Sequence, residues 1–148
     1  MYHYEDLPVG SVHECGSRTV TKEEILAFAR QYDPQPFHVD EEAARRSPYG
    51  GIIASGWHTC GIAMRLYCDA ILNDADSTGS PGVEKIQWLR PVRPGDTLRL
   101  TIVVLQARVL KSKRDVGLVL NRWELRNQEG DEVMRLEGFS MLRLRNRA

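Results

Sequence analysis

The sequence predicts one α+β domain, in which an antiparallel sheet of about five strands wraps around a long central helix. Two patterns predict this class: apolar residues recur at helical spacing in the first half of the chain and at strand spacing in the second. A third observation is that the longest predicted helix, roughly Ser55 to Ala75, is apolar around most of its circumference. Such a helix is buried on several sides, so the strands that follow are expected to cover it. With 148 residues the chain leaves little room for a second domain, and residues 1–148 are expected to form one.

Two shorter helices are predicted before the central one. Thr21 is a good N-cap with Glu24 at the capping-box position, and Pro34 ends the helix that follows. Asp40 caps a second, short helix through Ala44, and a Pro-Tyr-Gly-Gly sequence breaks it.

Strand patterns follow a predicted loop at residues 74–82. The clearest begins at Thr97, where Leu98, Leu100 and Ile102 alternate with polar residues. Turn-like sequences separate the runs. The predicted strands are roughly Ser11–Cys15, Val83–Leu89, Thr97–Val109, Val116–Leu125 and Val133–Leu144.

Composition and charge narrow the functional classes. Twenty basic and twenty acidic side chains give a formal net charge of zero, which does not indicate a nucleic-acid partner. No run of about 18 apolar residues is present, so no membrane span is predicted, and the first ten residues lack the pattern of a secretory signal. The cysteines at positions 15, 60 and 68 have no Cys-x-x-Cys spacing and are expected to be reduced, in the cytoplasm.

No cofactor and no metal ion are predicted. The sequence contains no P-loop, no Gly-x-Gly-x-x-Gly and no Gly-x-Ser-x-Gly motif, so it gives no support to nucleotide hydrolysis, dinucleotide binding or serine esterase chemistry. The four histidines, His3, His13, His38 and His58, do not have the spacing of metal ligands.

A carboxylate and an imidazole lie five positions apart, at Asp33 and His38, and Pro34 and Pro36 stiffen the connection. Such a pair can act as general base and general acid, because histidine titrates near neutral pH and a carboxylate can orient or activate a water. Five extended residues can separate the two Cα atoms by roughly 17 Å, so the spacing alone leaves two interpretations open. The residues are either a catalytic pair, or a helix-end aspartate and a packed loop histidine.

Small residues lead into the predicted central helix at Gly50, Gly51, Ala54, Ser55 and Gly56. The backbone N–H groups at a helix N-terminus are free donors for negative charge, and small residues let a ligand approach them. A thioester oxygen that becomes an enolate is such a charge. The alternative is that the glycines serve only a turn and tight helix packing.

Together these segments resemble the MaoC-like dehydratase and (R)-specific enoyl-CoA hydratase family, which has the hot-dog fold. The family pattern is Asp, four residues, His, an acidic residue two positions on, an Ile-Ala-x-Gly entry to the central helix, and a Pro-Val-x-x-Gly-Asp turn. The resemblance covers nearly the whole chain, over residues 21–144. The positions that match the pattern are Asp33, His38, Asp40, Ile53, Ala54, Gly56, Pro91, Val92, Gly95 and Asp96.

The resemblance implies a lyase that adds water to, or removes it from, a trans-2-enoyl thioester, with an acyl-CoA as substrate and without a cofactor. Asp33 and His38 would hold the water between them, and the backbone N–H of Gly56 would bind the thioester oxygen. Ser55, Trp57 and His58 are the expected substrate-binding residues, with a core or interface position as the alternative for His58. Replacing Gly56 by valine is expected to slow the reaction, and replacing Ser55 by alanine to do much less.

The resemblance leaves several properties open. Met64 stands where some hydratases place a serine, so the acyl preference is not implied. Hot-dog proteins usually pair their sheets, which implies at least a homodimer. Arg90 and Arg93 are either solvated or contact a CoA phosphate, and the same alternatives hold for the basic turn at residues 111–114. A hot-dog thioesterase and a non-catalytic acyl-CoA-binding subunit are the competing functions.

Overall fold

The computed structural model describes residues 1–146, and its six strands form one antiparallel sheet that curves around a central helix. Short 3-10 turns occur at Tyr4–Asp6 and Leu72–Asp74. The helices are α1 (Lys22–Tyr32), α2 (Pro36–Val39), α3 (Glu41–Arg46) and α4 (Gly56–Ala70). The strands are β1 (Val12–Thr19), β2 (Ser77–Gly79), β3 (Val83–Trp88), β4 (Thr97–Val109), β5 (Val116–Arg126) and β6 (Glu132–Arg143).

The sheet has the order β1-β4-β5-β6, and both β2 and β3 pair with the far side of β6. The alternation predicted for β4 is confirmed, since Leu98, Leu100 and Ile102 are fully buried on the face that meets α4. These side chains share one core with Ala63 and Tyr67 of α4. The expectation that strands cover an apolar central helix is therefore confirmed.

The predicted helix caps are also confirmed. Thr21 and Glu24 make the reciprocal bonds of a capping box at the start of α1. The Asp40 side chain accepts hydrogen bonds from the N–H groups of Glu42 and Ala43 and so caps α3. Both caps use only neighbouring residues, which is why the sequence could predict them.

The central helix is shorter than predicted, because α4 ends at Ala70 and not near Ala75. At Ile71 the backbone leaves the helical region, and Leu72–Asp74 forms a 3-10 turn. The apolar pattern continues through this turn, since Ile71 is buried in the same core. Periodicity alone therefore could not locate the end of the helix.

Two elements have no counterpart in the prediction. The strand β2 lies within the predicted loop and brings the described sheet to six strands, where about five were expected. Its three residues, Ser77–Gly79, show no apolar alternation, and they are held by pairing with Leu142 and Met141 of β6. The single turn α2 was also missed, and it carries His38.

A hydrogen bond from the Ala54 N–H to the Val92 carbonyl, 2.9 Å long, joins the segment before α4 to the segment before β4. This link helps to form one wall of the cavity described below. Within residues 1–146, no helix has the length and apolar character needed to cross a membrane.

Candidate active site

The candidate site lies where α1 ends and α2 begins. Asp33 is the C-cap residue of α1, and its N–H donates to the Ala29 carbonyl at 2.8 Å. Pro36 starts the next helix, since its fixed φ suits the first helical position. The chain folds back between the two helices, so that Asp33 Oδ2 lies 3.3 Å from His38 Nε2. The two side chains converge, which their spacing in the sequence could not establish.

His38 is only 4% exposed and is held in one orientation. Its Nδ1 lies 2.7 Å from the Ile53 carbonyl oxygen, and because a carbonyl only accepts, Nδ1 is the donor. In the neutral imidazole, Nε2 then carries the lone pair, and it faces Asp33 Oδ2. The imidazole nitrogen and the carboxylate oxygen therefore face each other at the cavity, where both can accept hydrogen bonds from a water molecule.

The Asp33 carboxylate is held by two donors. Ser55 Oγ donates to Oδ2 at 2.7 Å, and Gln35 Nε2 donates to Oδ1 at 2.7 Å. Partial burial raises the pKa of Asp33, but the hydrogen bonds from Ser55 and Gln35, together with the charge of His38, outweigh it. The net result is a pKa below the usual value for aspartate, so the carboxylate is ionised at neutral pH.

Ser55 is fully buried and has two roles. It is the N-cap of α4, where its Oγ accepts from the Trp57 N–H at 3.3 Å, and the same hydroxyl donates to Asp33. The serine therefore joins the first turn of the central helix to the carboxylate. The expectation that Ser55→Ala slows the reaction much less than Gly56→Val stays a prediction. The sequence signal for the cap was a serine directly before the helix, but nothing marked the bond to Asp33.

Gly56 is the first residue of α4, and no described residue accepts a hydrogen bond from its N–H. The indole of Trp88, a residue that sequence reasoning missed, lies directly over this glycine. A Cβ at residue 56 would lie 2.7 Å from Trp88 Cδ2 and nearer still to Cε2. The indole N–H also donates to the Gly56 carbonyl at 3.0 Å. A side chain at residue 56 would therefore meet the indole in its present position, whereas the sequence predicted that glycine leaves room for a thioester.

A cavity of about 450 Å³ joins these groups, since Asp33, His38 and Gly56 all line it. Trp57 lines it as well, with 58% of its surface exposed, and its ring meets Trp88 edge to face at a centroid distance of 5.3 Å. The remaining lining residues that bear on the chemistry are Phe37, Tyr49, Thr59 and Arg90. The cavity thus combines a carboxylate, an imidazole and a helix N-terminus with aromatic and aliphatic side chains.

His58 does not line this cavity. Its ring stacks on Phe28 of α1 at a centroid distance of 4.9 Å, and it is 9% exposed. Burial lowers its pKa, and its buried Nδ1 has no hydrogen-bond partner among the described residues. This placement favours the core alternative over a substrate contact.

The described residues contain no group of three or more His, Cys, Asp and Glu side chains placed to hold a metal ion. At the cavity, the carboxylate of Asp33 and the imidazole of His38 are groups that can accept and donate protons, and the start of α4 supplies backbone donors.

Two relatives with curated descriptions match most of the chain. The chain is 30% identical to the uncharacterized protein YdeM of Bacillus subtilis over 131 residues, which cover 86% of this chain and 93% of the relative. It is 27% identical to the 3-hydroxybutyryl-CoA dehydratase of Methylorubrum extorquens over 147 residues, which cover 96% of this chain and 83% of that enzyme.

A solved structure and a family model agree with these matches. The crystal structure of the MaoC-like dehydratase from Rhodospirillum rubrum superposes with a TM-score of 0.91, at 40% identity, and the match covers 99% of this chain and all of the other. The family model described as the MaoC like domain matches residues 8–122, which include the candidate site. The resemblance seen in the sequence is thereby confirmed, and this chain belongs to the MaoC-like domain family.

Proposed function

We propose that the protein is an (R)-specific enoyl-CoA hydratase, which adds water to a trans-2-enoyl-CoA and removes it in the reverse direction. The observation that carries this proposal is the facing pair of acceptors, Asp33 Oδ2 and His38 Nε2, 3.3 Å apart in a cavity. A water that donates to both has its oxygen lone pair free to attack carbon 3 of the acyl chain. Membership in the family and the similarity to a 3-hydroxybutyryl-CoA dehydratase support this reaction type.

The tautomer of His38 determines where each proton goes during the reaction. Because His38 Nδ1 donates to the Ile53 carbonyl, Nε2 is the group that takes a proton from the water as its oxygen bonds to carbon 3. Asp33, kept ionised by its donors, orients the water and stabilises the imidazolium. The π electrons of the double bond move onto the thioester oxygen. The proton on Nε2 then passes to carbon 2, so that one water is added and the pair returns to its starting state.

The enolate oxygen needs donors while this charge exists. The Gly56 N–H at the start of α4 is such a donor, and the helix dipole adds to it. The Ser55 carbonyl, which shares a peptide group with this N–H, accepts from the Thr59 N–H at 3.0 Å and from Thr59 Oγ1 at 3.3 Å. Both bonds polarise the peptide group and make its N–H a better donor.

Arg90 supports a CoA thioester as the substrate. It lines the cavity, and no described carboxylate forms an ion pair with it. A free guanidinium at a cavity wall suits a phosphate of the carrier, because it presents several donors to the phosphate oxygens.

We also propose that the protein assembles as a homodimer in the cytoplasm. One edge of β3 pairs with β6, while no described strand pairs with the other edge. Val83 on this strand is 55% exposed, and Trp57 and Met64 on the neighbouring helix are exposed as well. An unpaired edge beside exposed apolar side chains favours pairing with a second copy.

The first prediction concerns the catalytic pair. We expect Asp33→Asn and His38→Gln each to lower the rate of enoyl-CoA hydration by about 10²–10⁴-fold, because the first removes the charge that orients the water and the second removes the nitrogen that takes its proton. The measurement is the loss of absorbance of the conjugated thioester with purified variants whose circular dichroism matches that of the wild type. Near-normal turnover in either variant would overturn the assignment. Release of free thiol in place of hydration would favour the thioesterase, and absence of both reactions would favour the non-catalytic subunit.

The second prediction concerns pH. Ser55→Ala removes a hydrogen bond that lowers the pKa of Asp33, so this pKa rises. Because the proposed mechanism needs the ionised carboxylate, the acid limb of the kcat/KM profile should move to higher pH. Ser55→Thr, which keeps a hydroxyl, is the matched control and should move it less. If the acid limb is unchanged in folded Ser55→Ala, the hydroxyl of Ser55 does not lower the pKa of Asp33.

The third prediction concerns the carrier. We expect Arg90→Ala to raise KM for an enoyl-CoA by at least about fivefold, since a lost charge-assisted hydrogen bond is worth about 1.5–3 kcal/mol when well formed. The same variant should leave KM unchanged for the N-acetylcysteamine thioester of the same acyl group, which has no phosphate. Equal changes for both substrates would show that Arg90 does not contact the carrier phosphates.

The fourth prediction concerns assembly. Light scattering should give twice the chain mass of 16.8 kDa at micromolar concentration. Val83→Glu places a charge beside the free edge of β3 and should weaken the dimer. Val12→Glu is the matched control, since Val12 is 59% exposed on β1 at the opposite edge of the sheet. A wild-type monomer, or equal effects of the two variants, would contradict pairing through β3.

A further inference from the structure

We propose that Trp88 is a positioning residue for the first turn of α4, and that residue 56 is glycine because the indole of Trp88 fills the space beside it. The three atoms nearest to a Cβ built at residue 56 all belong to this indole. Trp88 also donates to the Gly56 carbonyl at 3.0 Å. The hydrogen bond and this close approach place the indole against the first turn of the helix, with 47% of Trp88 exposed.

The backbone of Trp88 is anchored to the sheet, so its side chain joins two separate parts of the fold. Trp88 ends β3 and pairs with Met134 of β6, and the N–H of Leu89 donates to the Val133 carbonyl at 2.9 Å. From this anchor the indole reaches the first residue of α4. The residue therefore links the sheet to the helix N-terminus at a wall of the cavity.

This link bears on the reaction because a backbone donor acts only when it is well placed. An N–H group must lie within hydrogen-bonding distance of the developing enolate, and small misplacements weaken catalysis. Trp88 holds the residue whose N–H is the proposed donor, without itself contacting the reacting atoms. The proposal therefore has two parts. The catalytic part, that Trp88 positions the Gly56 N–H for the reaction, rests on the proposed hydratase function. The packing part, that residue 56 is glycine because of Trp88, does not.

The packing part predicts that Gly56→Ala lowers Tm when residue 88 is tryptophan and raises Tm when residue 88 is alanine. In the wild type the added methyl group displaces the indole and breaks its hydrogen bond, so Tm should fall. In a Trp88→Ala background the methyl group has room, and Tm should rise, because alanine favours a helix over glycine. Thermal unfolding of the two single variants and the double variant gives this comparison without any substrate.

The catalytic part is tested with Trp88→Phe, which keeps an aromatic ring but removes the donor to the Gly56 carbonyl. We expect kcat for an enoyl-CoA to fall by about threefold to tenfold, in line with the loss of one hydrogen bond, while KM stays within about twofold. Trp123→Phe is the matched control, because the buried indole N–H of Trp123 has no partner among the described residues. It should leave kcat unchanged.

Both the thermal unfolding and the kinetics can overturn the proposal. If Gly56→Ala lowers Tm equally in both backgrounds, the glycine is required for a reason other than Trp88, whatever reaction the protein catalyses. If Trp88→Phe raises KM and leaves kcat unchanged, the indole contacts substrate and does not position the donor. Absence of hydration in the wild type, with the reversal in Tm still present, would contradict the proposed function and the catalytic role but leave the packing role intact.

Discussion

The burial of α4 inside the curved sheet is the constraint on which the candidate site depends. Ala63 and Tyr67 on this helix lie in the same core as the inward side chains of β4, so the helix has little freedom to shift or rotate. Its first residue, Gly56, and its N-cap, Ser55, are held in place as a result. Ser55 in turn holds the Asp33 carboxylate through one hydrogen bond, and Asp33 faces His38.

The site uses few side chains because several of them act twice. Ser55 caps the helix and donates to the Asp33 carboxylate. Asp33 ends α1 and supplies an acceptor of the candidate pair. His38 is buried in a single helical turn, and its bond to the Ile53 carbonyl selects the tautomer that leaves Nε2 as an acceptor. Structural and chemical roles are therefore coupled, and a change in one of these residues disturbs both.

The surroundings of the pair decide its protonation. A buried carboxylate without donors would be neutral more often, because burial disfavours the charged form. Here the hydrogen bonds from Ser55 and Gln35, and the nearby imidazole, reverse that tendency and lower the pKa of Asp33.

The sequence by itself determined the order of the longer helices and strands, the caps at Thr21 and Asp40, and the presence of Asp33 and His38, because each rests on neighbouring residues or a short motif. It could not place β2, the end of α4, or the contacts of Ser55 with Asp33 and of Trp88 with Gly56. The residues in these two contacts lie 22 and 32 positions apart, without a periodic signal. Only the tertiary structure decided them, because burial of α4 brings distant segments to one helix end.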